Sequence, residues 1–200
     1  MNFHFYPKFF KSSADTGFTM LELTVVMAIT GILTFFLINN FPASKIGLTD
    51  SANVLVADVR FAQSKALSGA TFKGNSICGY GLHPDGNDPA KYILFAGPAR
   101  TAMGGDCSAY SKVYDDNSEV WAIKTIVAKG VTFQKPFPDI FFEPPEPKVY
   151  IDGQPDIAQV AEIIIQSEDA VSCPPSSDKC RVICVYGSGR IEIAPNNSCQ

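Results

Sequence analysis

Residues 18–38 read Phe-Thr-Met-Leu-Glu-Leu-Thr-Val-Val-Met-Ala-Ile-Thr-Gly-Ile-Leu-Thr-Phe-Phe-Leu-Ile, 21 residues with one charge, Glu22. A helix of that length spans roughly 30 Å at about 1.5 Å per residue, the thickness of a bilayer's hydrocarbon core. The run is apolar on every side. It lacks the single stripe by which a helix packs onto a soluble core. Residues 18–41 are therefore expected to form one membrane-spanning helix. Beyond Pro42 the chain is too broken by glycine, proline and charge to form a second.

The flank identifies the kind of segment. Upstream lie Lys8, Lys11 and Asp15, then the small residue Gly17. A secretory signal carries its small-residue cleavage site after a shorter apolar stretch. Here the small residue comes first. Cleavage after Gly17 would remove a polar leader, residues 1–17, and keep the helix. The two lysines would hold that leader on the cytoplasmic side.

Glu22 needs a reason to be there. A carboxylate inside hydrocarbon costs a few kcal/mol on insertion scales, so it usually has a partner and a role. Near the interface the cost is small. After cleavage, however, Phe18 would carry a new α-ammonium, which could pair with Glu22 of a neighbouring, axially shifted subunit. Such a head-to-tail contact builds filaments rather than closed rings.

Gly17-Phe18-Thr19-Met20-Leu21-Glu22 followed by an apolar segment resembles the leader motif of type IV prepilins. The resemblance implies cleavage between Gly17 and Phe18 by a prepilin peptidase and N-methylation of Phe18. It also implies a docking role for Glu22 among pilin or pseudopilin subunits. Two features depart from the family. The leader is long, and the proline that many members carry within this helix is replaced by Asn39, with Pro42 three residues on.

Composition agrees with an exported domain. The chain has 200 residues, 46 % hydrophobic and 18 % charged, and a mean hydropathy of +0.08. A disordered chain would be poorer in apolar residues and richer in charge. The formal charge of -4 argues against a generally basic nucleic-acid binder.

After Pro42, Leu48, Ala52, Leu55, Val59, Ala62 and Ala66 recur at spacings of four and three, one face of an amphipathic helix over residues 42–70. Thr49 or Asp50 is expected to cap its start and Gly69 to end it. The rest, residues 71–200, reads as a β-rich head. Its strand-like stretches are 76–82, 92–96, 120–127, 131–133, 140–142, 148–151, 161–166, 181–186 and 190–194, about eight short strands separated by turn signals. Gly187-Ser188-Gly189 reads as a hairpin turn. The expected fold is α+β: a long N-terminal helix, half transmembrane and half amphipathic, packed on that head.

Ala57-Asp58-Val59-Arg60-Phe61-Ala62-Gln63-Ser64-Lys65-Ala66 resembles the end of the stalk helix in the GspH/FimT group of minor pilins and pseudopilins. Asp139-Ile140-Phe141-Phe142-Glu143-Pro144-Pro145 and Gly189-Arg190-Ile191-Glu192-Ile193 also look like that group. This implies a low-copy subunit that primes or caps a type IV pilus or a type II secretion pseudopilus.

Cys78, Cys107, Cys173, Cys180, Cys184 and Cys199 all follow the membrane segment. An even count in an exported domain argues for up to three disulfides among 15 connectivities. Cys173–Cys180 would close the loop 174–179. Neighbour logic then leaves Cys78–Cys107 and Cys184–Cys199. With no Cys-x-x-Cys, and His83 the lone histidine after cleavage, no metal site is expected. His83 lies in His83-Pro84-Asp85-Gly86 and reads as a solvated turn residue. No nucleophile elbow accompanies it, so neither an enzyme activity nor a cofactor is expected. Asn196-Asn197-Ser198 matches a glycosylation sequon, a match that is usually accidental. Phe141, Phe142, Pro144, Pro145 and Pro147 form either an exposed ridge or a strand entering the core, the second reading being preferred.

The expected location is the inner membrane, single-pass, with an exported head that enters a filament. One alternative is a DNA-uptake minor pilin. Some members of the family bind DNA through a basic Gly-Arg-x-Arg motif. Here Gly189-Arg190-Ile191 is followed by Glu192. From Tyr150 onward three basic residues face seven acidic ones, a local charge of 3 − 7 = −4 that repels phosphate. The remaining alternative is an exported domain on an uncleaved anchor.

Overall fold

The computed structural model describes residues 19–40, 43–145, 148–170, 172–174 and 177–199. Gly17, Phe18, Pro42 and Pro147 lie outside them. The chain divides into two units, Met1–Phe41 and Pro42–Gln200.

The first unit holds helix α1, Met20–Asn40. Its described side chains, over residues 20–36, are exposed, Met20 at 88 % and Phe36 at 60 %. Its hydroxyls turn inward onto the backbone. Thr24 donates to Leu21 O at 2.8 Å, Thr30 to Val26 O at 2.8 Å and Thr34 to Thr30 O at 2.7 Å. Among the described residues, no helix is long and apolar enough to cross a membrane.

The second unit is α+β. Helix α2 runs over Ala43–Leu67. It begins before Thr49 and Asp50, so neither is its cap: residues 43–48 hold no proline, and the single Gly47 costs only about 1 kcal/mol inside a helix. It ends as expected. Ala70 N–H reaches Lys65 O at 3.1 Å and Gly69 N–H reaches Ala66 O at 3.0 Å, with Gly69 at φ +58°. That nested pair is a Schellman motif, which needs the left-handed residue glycine tolerates. The helix's apolar stripe is buried, with Ala52, Val59 and Ala62 at 0 % exposure.

Nine strands follow: β1 Tyr80–Pro84, β2 Lys91–Ala96, β3 Glu119–Thr125, β4 Val131–Phe133, β5 Ile140–Glu143, β6 Lys148–Ile151, β7 Val160–Ser167, β8 Cys180–Tyr186 and β9 Ile191–Ile193. They form two antiparallel sheets, ordered β3-β2-β1-β5-β6 and β4-β7-β8-β9. The stripe of α2 packs into one core with Tyr80, Leu82, Leu94, Ile140 and Phe142 of the first sheet and Ile163, Ile165, Ile183 and Val185 of the second. Both sheets therefore show alternation, one face inward. The outer face of the first sheet is covered by the β2–β3 connection, whose Cys107 and Tyr110 pack on Cys78, Phe95 and Phe141.

Two further local expectations change, and two hold. The first strand starts at Tyr80 rather than Ser76. Gly79 takes φ +154°, and Cys78 N–H bonds Pro98 O outside the ladder. His83 lies in β1 opposite Ile93, not in the turn after it. Phe141 and Phe142 are fully buried, so the core reading of that segment holds. The Gly187–Gly189 turn does join β8 to β9.

Candidate functional site

Two regions concentrate chemistry: the start of α1 and the polar fastenings of the head. At the first, Thr19 and Glu22 cap each other. Glu22 N–H donates to Thr19 Oγ1 at 3.2 Å, and both Thr19 N–H and Thr19 Oγ1 donate to Glu22 Oε2 at 3.2 Å. This is a capping box, Thr-x-x-Glu, which satisfies donors that no helical carbonyl can reach. The sequence carries this signal in Thr19-Met20-Leu21-Glu22, so Glu22 has a partner within its own chain besides the one expected from a neighbouring subunit. The carboxylate also sits at the positive end of the helix dipole. Of the expected processing residues, Gly17 and Phe18 fall outside the described residues, and only Glu22 has a described environment.

In the head, Asp58 of α2 is a junction. Tyr92 Oη of β2 donates to its Oδ2 at 2.5 Å, and Lys124 Nζ of β3 lies 3.1 Å from its Oδ1. Asp58 is 9 % exposed and Tyr92 2 %. Burial first, then the bond to Asp58 and its charge, hold the Tyr92 hydroxyl protonated far above the usual tyrosine range.

The β2–β3 connection is fastened at several points. Lys112 is 4 % exposed at φ +61°. Its Nζ donates to Cys107 O and lies 3.3 Å from Glu143 Oε1, with the Tyr110 and Tyr150 rings each at 5.6 Å. Tyr150 Oη donates to Glu143 Oε2 at 2.5 Å. Burial, followed by that bond, pushes the Tyr150 hydroxyl up to about 12. A cleft of about 420 Å³ opens above this cluster, between Asp106, Ser108 and Lys148. A second fastening runs through Asp139. His83 Nδ1 lies 2.5 Å from its Oδ1, Tyr114 N–H donates to its Oδ2 at 2.8 Å, and the Tyr114 ring stacks on His83 at 4.6 Å. His83 is therefore a part-buried partner of Asp139 rather than a solvated turn residue.

All six cysteines are oxidised, as Cys78–Cys107, Cys173–Cys180 and Cys184–Cys199. No thiolate remains to ligate a metal. Arg190 lies 3.2 Å from Glu192 Oε1 and over the Tyr186 ring at 3.9 Å.

No protein-family model and no curated relative matches the chain. Among solved structures it is similar to the type IV minor pilin FimU of Pseudomonas aeruginosa. The identity is 12 %, the TM-score is 0.44, and the match covers 76 % of this chain and 95 % of that one. A likeness that distant transfers no function.

Proposed function

We propose that the chain is a minor pilin or pseudopilin, a structural subunit of a type IV pilus or a type II secretion pseudopilus. In this reading a prepilin peptidase cuts between Gly17 and Phe18, and Phe18 is then methylated. The apolar helix holds the subunit in the inner membrane until neighbouring subunits dock through it. The observation that carries the reading is the order of residues from 17 to 38: a small residue, a lone acid five positions later, and an otherwise uncharged run.

Two features of α1 support it. The hydroxyls of Thr24, Thr30 and Thr34 are bonded to the preceding turn, so these three donors would not meet hydrocarbon unpaired. The capping box holds Glu22 at the first turn, where an incoming ammonium would need it. In this reading the role is structural: assembly with neighbouring subunits. Arg190, engaged with Glu192 and Tyr186, and the acidic C-terminal region weigh against a DNA-uptake role.

Intact-mass spectrometry of the protein extracted from membranes tests the proposal. The expected species begins at methylated Phe18. A chain still beginning at Met1, in cells that contain a prepilin peptidase, overturns it. Glu22→Ala is expected to leave membrane insertion intact and to reduce recovery in sheared filaments. Normal recovery would remove the docking role.

A further inference from the structure

Strand β3 closes one end of the five-stranded sheet, and no described strand pairs with its outer edge. Exposed edges are ordinarily kept free of apolar side chains, because unpaired backbone groups invite another strand. Here Val120 is 43 % exposed and Ile123 60 %. The charged residues at either end, Glu119 and Lys124, have side chains 46 % and 43 % exposed.

A bulge gives this edge an unusual pattern. Leu94 pairs with Ala122 while the next residue, Phe95, pairs with Val120, which makes Trp121 the extra residue. Val120 and Ile123 stand opposite Phe95 and Ile93, which belong to the outer-face cluster. Glu119, Ala122 and Lys124 stand opposite Ala96, Leu94 and Tyr92, which belong to the inner core. Trp121 also turns inward, onto Phe61 at 5.0 Å and Tyr80 at 5.6 Å. Residues three apart thus share a face.

We propose that β3 pairs antiparallel with β3 of a second copy of this chain, about a two-fold axis passing between Trp121 and Ala122. In that register Glu119 meets Lys124 of the second copy, Val120 meets Ile123, and Trp121 meets Ala122. Directly opposed residues in an antiparallel pair project on the same face, and all three pairs satisfy this. A shift of one residue sets Ile123 against Glu119, or Val120 against Lys124, on opposite faces. The charges complement one another in the same register. Glu119 is already bonded to Lys73 and Lys124 to Asp58, so pairing completes an alternating row Lys73, Glu119, Lys124, Asp58 across the joint. The two-fold axis repeats every contact, as an isologous interface requires. This pairing uses only the head and stands apart from the filament reading.

The test uses the full chain in detergent micelles. Sedimentation compares the natural protein with Ile123→Lys, and Trp121 fluorescence checks that the variant's head remains folded. In parallel, a photoreactive benzoylphenylalanine replaces Ile123 in a mixture of isotope-labelled and unlabelled chains. The expected result is a dimer that Ile123→Lys converts to monomer, with cross-links between labelled and unlabelled chains falling within Glu119–Thr125. A monomeric natural protein overturns the proposal. So does an oligomer that Ile123→Lys leaves unchanged, as one held through α1 would be, or cross-links that fall outside that strand.

Discussion

Removing one oxygen atom from Tyr92 separates the contribution of the α2–sheet junction from that of the apolar core around it. Tyr92→Phe keeps the ring, which packs on Phe133 at 6.1 Å, and deletes the donor to Asp58 Oδ2. Tyr92 is 2 % exposed, so water cannot readily replace the hydroxyl. A hydrogen bond to a buried charged acceptor is worth about 2 kcal/mol. For a domain of this size that is a fall of about 4–8 °C in melting temperature. Lys124→Met removes the other partner of Asp58, but that side chain is 43 % exposed, and screening limits the expected loss to about 0.5 kcal/mol. The assay is thermal unfolding of the full chain followed by the fluorescence of Trp121. It is the single tryptophan and sits beside the junction, against Phe61 and Tyr80. A Tyr92→Phe midpoint equal to the natural one, or a larger loss from Lys124→Met, would refute the argument that the buried arm of this junction carries its energy.

Leu55→Ala, at 2 % exposure in the core, is expected to cost about 3 kcal/mol through lost burial and a residual cavity, read by the same unfolding assay. Gly187→Ala would set a Cβ 1.9 Å from Asp156 O. The backbone must move, and soluble yield of folded head is expected to drop sharply. The chain-entropy model makes Cys78–Cys107, with a sequence separation of 29, worth about 3.5 kcal/mol, and Cys173–Cys180, with a separation of 7, about 2.5 kcal/mol. Paired replacement by alanine should therefore lower the melting temperature more at the first. Burial holds the hydroxyls of Tyr80, Tyr92, Tyr110 and Tyr150 above the ordinary tyrosine value, Tyr150 at about 12. The folded state therefore keeps protons that the unfolded chain releases near pH ~10. Stability from this source is complete below pH ~10 and is lost as pH rises toward and beyond 12, measurable as a melting temperature that falls with alkaline pH.

Much of the head was readable because its signals are local. Each of the nine β-rich stretches pairs as a strand, since alternation and turn residues act within a few positions. The α2 stripe is buried as its spacing required. The exceptions have local causes too: a proline-free start let α2 reach back to Ala43 across Gly47, and Gly79 delayed β1. The cysteine pairs followed from proximity along the chain, which succeeded because each cysteine bonds its neighbour in the order of cysteines. The misreading of His83 is of another kind. Its surroundings depend on Asp139, fifty-six residues away, and no periodicity encodes that distance.

Residue order alone settles where α1 begins and why one acid can stand in it. Thr19 and Glu22 lie three apart, and one helical turn brings them together whatever else the protein does. Chain folding was required for the rest. It brought Asp58, Tyr92 and Lys124 to one point, buried Lys112 beneath Tyr110 and Tyr150, and placed a bulge at Trp121 that turns Val120 and Ile123 to one face. Such contacts join segments whose separation carries no period, so they exist only once two sheets and a helix have closed on a common core.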